Sequence, residues 1–442
     1  MNRPIHLIAI IIVLWLICSL VQAQSGYVYT QDLNSSYASR SIYVCSDNSV
    51  VVLGNSDDLE EFHYMSIAIT KLDPQGNLLW RRYIYPGGGG TFISITGVDI
   101  DMDDKVTFII TCFAGSIIQL GTINSIGVIN FLSNPIEISL MGITFNKALR
   151  TQNNEIIAVG KASQNYDVSS ACYFRFSASG DTLCTAFWPV DQGSQYLEAE
   201  AHDLAFMDNG NFLITCSLHT SLGSIIEVDE NGEIVNRINV PDNYMNGYSC
   251  LALGRSNNDG SHLLASSFGF FPNVMVKVFR ILGSELIFLF DIDNNVLENV
   301  SSMFTYQNGI YICGYAFNGA LVNLSFSGEL TWTWYHQGEN LCPYIGDGFG
   351  SPSTALLGLD SQGCVYWAWG NSGQQVIIKL LPNGQVPVED EVQTPSVNKI
   401  IANPNPMKNH VNIKIVQDDQ MIRRDCSKTI TILRCFTRAL GE

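Results

Sequence analysis

A polar turn that carries a glycine recurs seven times along this chain, with the glycines at positions 76, 127, 180, 232, 283, 328 and 384. Successive differences between those positions are 51, 53, 52, 51, 45 and 56 residues. A period of this size marks one supersecondary unit used repeatedly, whose apolar faces close only against neighbouring copies. The clearest copies are Lys71-Leu72-Asp73-Pro74-Gln75-Gly76-Asn77-Leu78-Leu79-Trp80, Phe176–Leu183, Val228–Val235, Leu324–Leu330 and Leu381–Val386, and weaker ones centre on Gly127 and Gly283. Apolar residues alternate on both sides of each turn. Glycine there supplies the positive φ that a tight hairpin requires.

A second hairpin series precedes the first by some twenty to thirty residues. Its copies include Asp47–Gly54, Asn153–Gly160, Asp208–Cys216, Gln307–Gly314 and Asp360–Tyr366. Two hairpins per unit give about four strands. Four-stranded antiparallel units repeated radially are the blades of a β-propeller, so the expected fold is all-β with seven blades. Composition agrees: charged residues are 14% of the chain, glycines number 37, and tyrosine plus phenylalanine number 18 + 22 = 40. A stacked β-solenoid is the alternative, although solenoid repeats are usually shorter. The blades are expected near 41–84, 91–141, 143–190, 196–241, 244–292, 293–339 and 343–390. Pro387 falls where the fourth strand of the seventh should run, and proline removes a ladder donor. Tyr27-Val28-Tyr29-Thr30-Gln31-Asp32 is a spare strand of suitable length, so it is expected to pair with blade seven and close the ring.

These units resemble the seven-bladed propeller repeats of exported bacterial proteins, in which an Asp-x-x-Gly hairpin precedes a Lys-Leu-Asp-x-x-Gly-x-hydrophobic-x-Trp hairpin. The resemblance spans most of residues 41–390 and implies a fold, with no activity attached. Both chain ends suggest export. Arg3, the apolar run Ile5–Leu20 and Val21-Gln22-Ala23 form a signal-peptide pattern, with cleavage expected between Ala23 and Gln24. A retained anchor would need a longer run, and acylation at Cys18 is opposed by the bulky Ile17 before it. After a linker at 391–396, residues 397–418 place Asn403-Pro404-Asn405-Pro406 between two alternating segments. This resembles the opening of the C-terminal sorting domain of the type IX secretion system of Bacteroidetes-type bacteria. It implies contact with that secretion machinery and release or attachment at the outer-membrane surface. Residues 419–442 depart from the pattern, turning basic at Arg423, Arg424, Lys428, Arg434 and Arg438, as a truncation or frame change would produce. A basic membrane-surface helix is the other reading of this stretch.

Little else in the sequence points to chemistry. The formal net charge of −18 leaves a nucleic-acid partner without the clustered cations it needs. Of twelve cysteines, eleven follow the signal segment, and no Cys-x-x-Cys pair occurs. Cys112, Cys216 and Cys313 are expected at the small-residue site used by Gly54, Gly160 and Ser266 in other blades, as buried packing groups. Turn placement sets Tyr173 opposite Cys184, which argues against a Cys172–Cys184 bridge. The seven histidines, at 6, 63, 202, 219, 262, 336 and 410, show no zinc-ligand spacing. Asp99–Asp104 and Asp291–Asn295 offer oxygen ligands of the kind calcium takes. Both lack the loop glycine and closing glutamate of an EF-hand, and solvated turn carboxylates are the expectation. No cofactor is expected. Nucleophile-elbow and phosphate-loop patterns are missing, as are the sialidase-type Asp box and the tryptophan-docking pattern of quinoprotein propellers.

Trp334, Tyr335 and Trp369 are the candidate ligand aromatics, a platform for stacking sugar rings. Trp332 follows Gly328 by four residues as Trp80 follows Gly76, so it is expected in inter-blade packing instead. The expected function is a monomeric, secreted or surface binding module for a glycan or protein, with its site on loops at one end of the channel. The alternative is a polymer-degrading hydrolase or lyase using carboxylates that converge on the channel mouth.

Overall fold

The computed structural model describes residues 27–58, 64–84, 93–112, 117–138, 140, 142–163, 168–189, 197–219, 222–240, 251–255, 260–268, 275–293, 295–297, 299–307, 309–315, 319–335, 356–384, 399–404 and 411–416. Among them there is no helix, and the strands form seven four-stranded antiparallel blades. Blade two runs Ile93–Ile100, Val106–Cys112, Ile117–Ile123 and Ile129–Phe131, with the short Ile136–Glu137 beside its third strand. Blade three runs Gly142–Arg150, Ile156–Ser163, Val168–Phe176 and Thr182–Trp188, and Leu197–Glu198 lies parallel to its third strand. Blade four is Glu200–Phe206, Phe212–His219, Leu222–Val228 and Ile234–Asn239; blade five is Leu251–Arg255, His262–Phe268, Met275–Leu282 and Glu285–Ile292. Blade six is Asn299–Tyr306, Gly309–Tyr315, Gly319–Ser325 and Leu330–Tyr335.

Blades one and seven share a strand. Tyr27–Val44 begins as the outer strand of blade seven, with Tyr27 opposite Lys379 and Asp32 opposite Gln374. From Tyr37 onward the same strand becomes the first of blade one, pairing with Val50–Asp58, which Tyr64–Leu72 and Leu78–Ile84 follow. Val365–Leu380 supplies both inner strands of blade seven, one half pairing with Leu356–Leu359 and the other with the N-terminal strand. The expected closure by Tyr27–Asp32 is therefore present. Pro387 lies outside the described residues.

The two turn series account for every described residue with positive φ. The outer turns use Gly76, Gly127, Gly180, Gly232, Gly283, Gly328 and Gly384, with φ between 58° and 90°. The inner turns use Asn48, Asp104, Asn154, Gly210, Gly260, Gln307 and Gly363. Side-chain oxygens of Asp73, Asn124, Asp229 and Asp360 each accept two backbone N–H groups of their own turn, two and four residues on. That local bonding explains the Asp or Asn three residues before each of these turn glycines.

The core is divided seven ways. Seven buried apolar clusters each join the facing sheets of two neighbouring blades. Strand periodicity makes this possible: Val50 and Val52 face blade seven while Val51 and Leu53 face blade two. The turn glycines also take part. A Cβ on Gly328 would sit 2.5 Å from Phe290 of the preceding blade, and Gly76 and Gly127 meet Tyr27 and Trp80 in the same way.

The chain divides into two compact units, Met1–Pro387 and Val388–Glu442. In the second unit, Lys399–Pro404 and Val411–Val416 pair as an antiparallel hairpin, Lys399 opposite Val416 and Pro404 opposite Val411.

Candidate functional site on the propeller axis

The first strands of the seven blades touch one another in a closed cycle, which places them around the axis. In five of them a bulge inserts one extra residue: Arg40, Val98, Asn146, His202 and Ser301. A bulge re-aims the side chain it carries. Val98 packs into the core with Ile143 and Phe145. The others carry polar groups to the inner rim of the ring.

Asn146 Nδ2 donates to Glu200 Oε1 at 2.6 Å and to the Ala201 carbonyl at 2.8 Å, tying blade three to blade four. His202 Nε2 lies 3.0 Å from Ser217 Oγ. Burial pulls the Arg40 guanidinium pKa below its ordinary value, and the Glu200 carboxylate acts against that pull. Arg40 belongs to blade one and Glu200 to blade four. The Arg40 Nε is fully enclosed and has no hydrogen-bond partner.

Other ring carboxylates are already engaged between blades. Asp99 takes Arg150 bidentately, at 2.6 and 3.1 Å. Asp203 lies 3.7 Å from Lys147 and accepts from the Leu253 amide at 2.8 Å. Glu155, by contrast, is engaged within blade three, where it holds Arg175 at 2.9 and 3.0 Å. The acidic runs have comparable duties: Asp101 caps its turn and pairs with Lys105, Asp104 accepts from Ser46, and Asp293 accepts from Asn295. Cys45, Asp47 and Asp104 bring their ligand atoms within 4.8 Å of one another, a grouping that sequence spacing did not suggest.

The candidate aromatics are not assembled into a platform among the described residues. Trp334 packs edge-on against the buried Trp367 at 5.4 Å, and Tyr335 is exposed on an outer strand with its hydroxyl 3.4 Å from the Asn295 carbonyl. The side chain of Trp369 lies outside the described residues. Trp332 packs on Gly384 of the next blade and donates to the Pro382 carbonyl, as Trp80 packs on Gly127 and donates to Ser125. Its packing role is as expected.

Two cysteine readings need correction. Strand pairing aligns Cys216 with Gly54 and Gly160, each opposite the residue before the bulge, but Cys313 sits one position earlier and Cys112 four later. A register shift beside the 177–181 turn places Arg175, rather than Tyr173, opposite Cys184. Cys172 and Cys184 are both free thiols, and Cys184 donates to the Asn231 carbonyl. Burial raises the pKa of Cys172, Cys216 and Cys313, and pushes that of Cys364 up to about 11. Ala23, Gln24, Asn405 and Pro406 lie outside the described residues, while Asn403 and Pro404 end the first strand of the C-terminal hairpin.

No family model and no curated protein matches the sequence. Solved structures do resemble it. A protein of unknown function from Bacteroides caccae is 13% identical, over 61% of this chain and 90% of its own, with a TM-score of 0.40. BamB from Moraxella catarrhalis is 12% identical, over 80% and 98%, at 0.41. The WD40 β-propeller domain of Doa1 is 11% identical, over 80% and 97%, at 0.45. The seven-bladed β-propeller is established by the chain's own strand pairing.

Proposed function

We propose that this protein is an exported β-propeller that binds an extracellular glycan or cell-envelope protein without turning it over. The signal-peptide pattern ending at Ala23 and the Asn403–Pro406 segment support export and delivery to the outer-membrane surface or medium. The observation that carries the binding reading is how the ring carboxylates are used. Asp99, Asp203 and Glu155 are held by cations, and Glu200 is held by Asn146. General acid–base hydrolysis of a glycoside needs two free carboxyl groups facing one substrate bond, and Asp99, Asp203, Glu155 and Glu200, each already engaged, do not supply that pair.

Connections between second and third strands, and between blades, leave the end of the ring opposite the two turn series. The longest runs from Tyr335 to Leu356. Long connections held by a rigid scaffold are where recognition residues concentrate, so that end is the recognition face. A glycan and envelope-protein binding screen, with product analysis on every hit, tests the proposal. Binding without product supports it. Turnover abolished by Glu200→Gln would replace it with the hydrolase reading.

A further inference from the structure

We propose that Cys45, Asp47 and Asp104 hold one zinc ion between the inner turns of blades one and two. The site is separate from the ligand reading above and stands or falls without it.

Two turns bring the three donors together. Cys45 and Asp47 lie in the connection between the first two strands of blade one, and Asp104 in the matching connection of blade two. One ligand atom from each residue lies within 4.8 Å of the other two. Ser46 holds the blade-two carboxylate across the gap, its amide donating to Asp104 at 2.7 Å and its hydroxyl at 2.8 Å. Within blade one, Asp47 accepts the Ser49 amide at 2.9 Å, and the Cys45 amide donates to the Ser49 carbonyl at 2.8 Å. A carboxylate has about four lone-pair sites, so these bonds orient the ligands without exhausting them. Cys45 is buried, Asp104 half-buried and Asp47 exposed, so an ion can enter from the Asp47 side.

Ser49 supplies a second observation. The residue is fully buried, and its hydroxyl lies against both the Cys45 thiol and the Asp47 carboxyl while completing a hydrogen bond with neither. An enclosed hydroxyl without a partner costs free energy. Metal binding removes that cost, because the ligating sulfur gives up its proton and becomes an acceptor for Ser49.

The donor set selects the ion. Calcium and magnesium take oxygen ligands, whereas a thiolate beside two carboxylates suits zinc, with water in the fourth position. Tetrahedral zinc brings its donors to about 3.5 Å from one another, a contraction that rotation of the exposed Asp47 provides. Two carboxylates and a thiolate, offset by the charge of nearby Lys71, leave two negative charges for a divalent cation. Lys71 itself donates to the Ser125 carbonyl at 3.4 Å.

The purified full-length chain, reduced and stripped with chelator, should be titrated calorimetrically with zinc, cadmium and calcium chlorides. Zinc should bind one to one and raise the melting temperature, cadmium should give the ultraviolet charge-transfer band of a metal–thiolate bond, and calcium should do neither. Cys45→Ser should abolish the band and weaken zinc at least about ten-fold. Asp104→Asn should weaken zinc similarly, while its metal-free form melts with the parent, because asparagine also accepts positive φ. If Cys45→Ser does not fold, Asp104→Asn decides alone. No zinc binding, unaltered binding in either variant, a band that survives Cys45→Ser, or calcium binding above zinc would overturn the proposal.

Discussion

Arg81 donates a 2.7 Å hydrogen bond to the amide oxygen of Gln375, 294 positions away. The first residue is on the outer strand of blade one and the second on the third strand of blade seven. Arg81 also donates to Thr70 Oγ1 at 2.9 Å and to the Tyr29 hydroxyl at 3.4 Å, so one side chain stitches both sides of the closing seam. Arg81→Leu should lower unfolding stability by about 2–3 kcal/mol, the scale of lost charge-assisted bonds. Urea unfolding should show a lower midpoint at unchanged slope. A midpoint equal to the parent's would mean the seam is held by backbone pairing alone.

Two turn glycines with the same conformational demand should respond differently to alanine. Gly328 has φ of 85° with Phe290 where a Cβ would go, while Gly283 has φ of 58° and open space around it. Gly283→Ala should cost about 1–2 kcal/mol of backbone strain. Gly328→Ala adds overpacking of about 1–3 kcal/mol. Melting curves of the two variants give the difference directly, and equal losses would contradict the inter-blade packing of Gly328.

Lys379 and Asp360 form an ion pair at 3.8 Å with side chains 1% and 0% exposed. The Lys379 ammonium also lies over the Tyr366 ring, 5.3 Å from its centre. Lys379→Met alone strands a buried carboxylate and should cost about 3–5 kcal/mol. Adding Asp360→Asn should recover most of that loss, because asparagine keeps the turn-capping oxygen while removing the charge. Denaturant unfolding of the single and double variants reads the coupling; additive losses would show that the pair does not act as a unit.

His262 is buried beside Arg255, its Nε2 3.2 Å from the Phe206 carbonyl. Burial lowers its pKa below 6.5, with Arg255 lowering it further and the Phe206 bond and Asp208 opposing. The folded state therefore holds fewer protons than the unfolded one just below pH 6.5. Stability from this group is complete above about pH 6.5 and falls as acid is added. The melting temperature should drop between pH 7 and pH 5, and His262→Gln should flatten that slope. An unchanged slope in the variant would assign the drop to other groups.

Much of this fold could be read in advance because its turns are chemically explicit. Gly76 to Gly384 mark the outer series, and the Asp or Asn before several of them bonds its own turn. Blade two hid its inner turn. Asp101-Met102-Asp103-Asp104 looks like a ligand run, yet Asp104 takes positive φ itself, as aspartate can at modest cost. In blade six, Gln307 rather than Gly309 has positive φ. The axial site gave no such signal. Asn146 and Glu200 are unremarkable in their local sequence and meet only because blades three and four pack together. A bulge also leaves no compositional mark, so sequence alone does not place Cys112 and Cys313 in register with Gly54 and Gly160.

The shared strand of blades one and seven also sets an order in time. Tyr27 is among the first described residues to be synthesised, and its partner Lys379 follows 379 − 27 = 352 positions later. Six blades can stack as their sequences emerge, but the N-terminal strand must wait, unpaired on one side, until nearly the whole propeller exists. Closing so long a loop adds little entropic cost beyond a shorter one, since that cost grows only logarithmically with length. The hazard lies in the waiting, because an open strand edge can pair with another molecule. Until Lys379 arrives, the nascent ring is an arc with two exposed ends, and crowding at that stage favours exchange of the first strand between molecules.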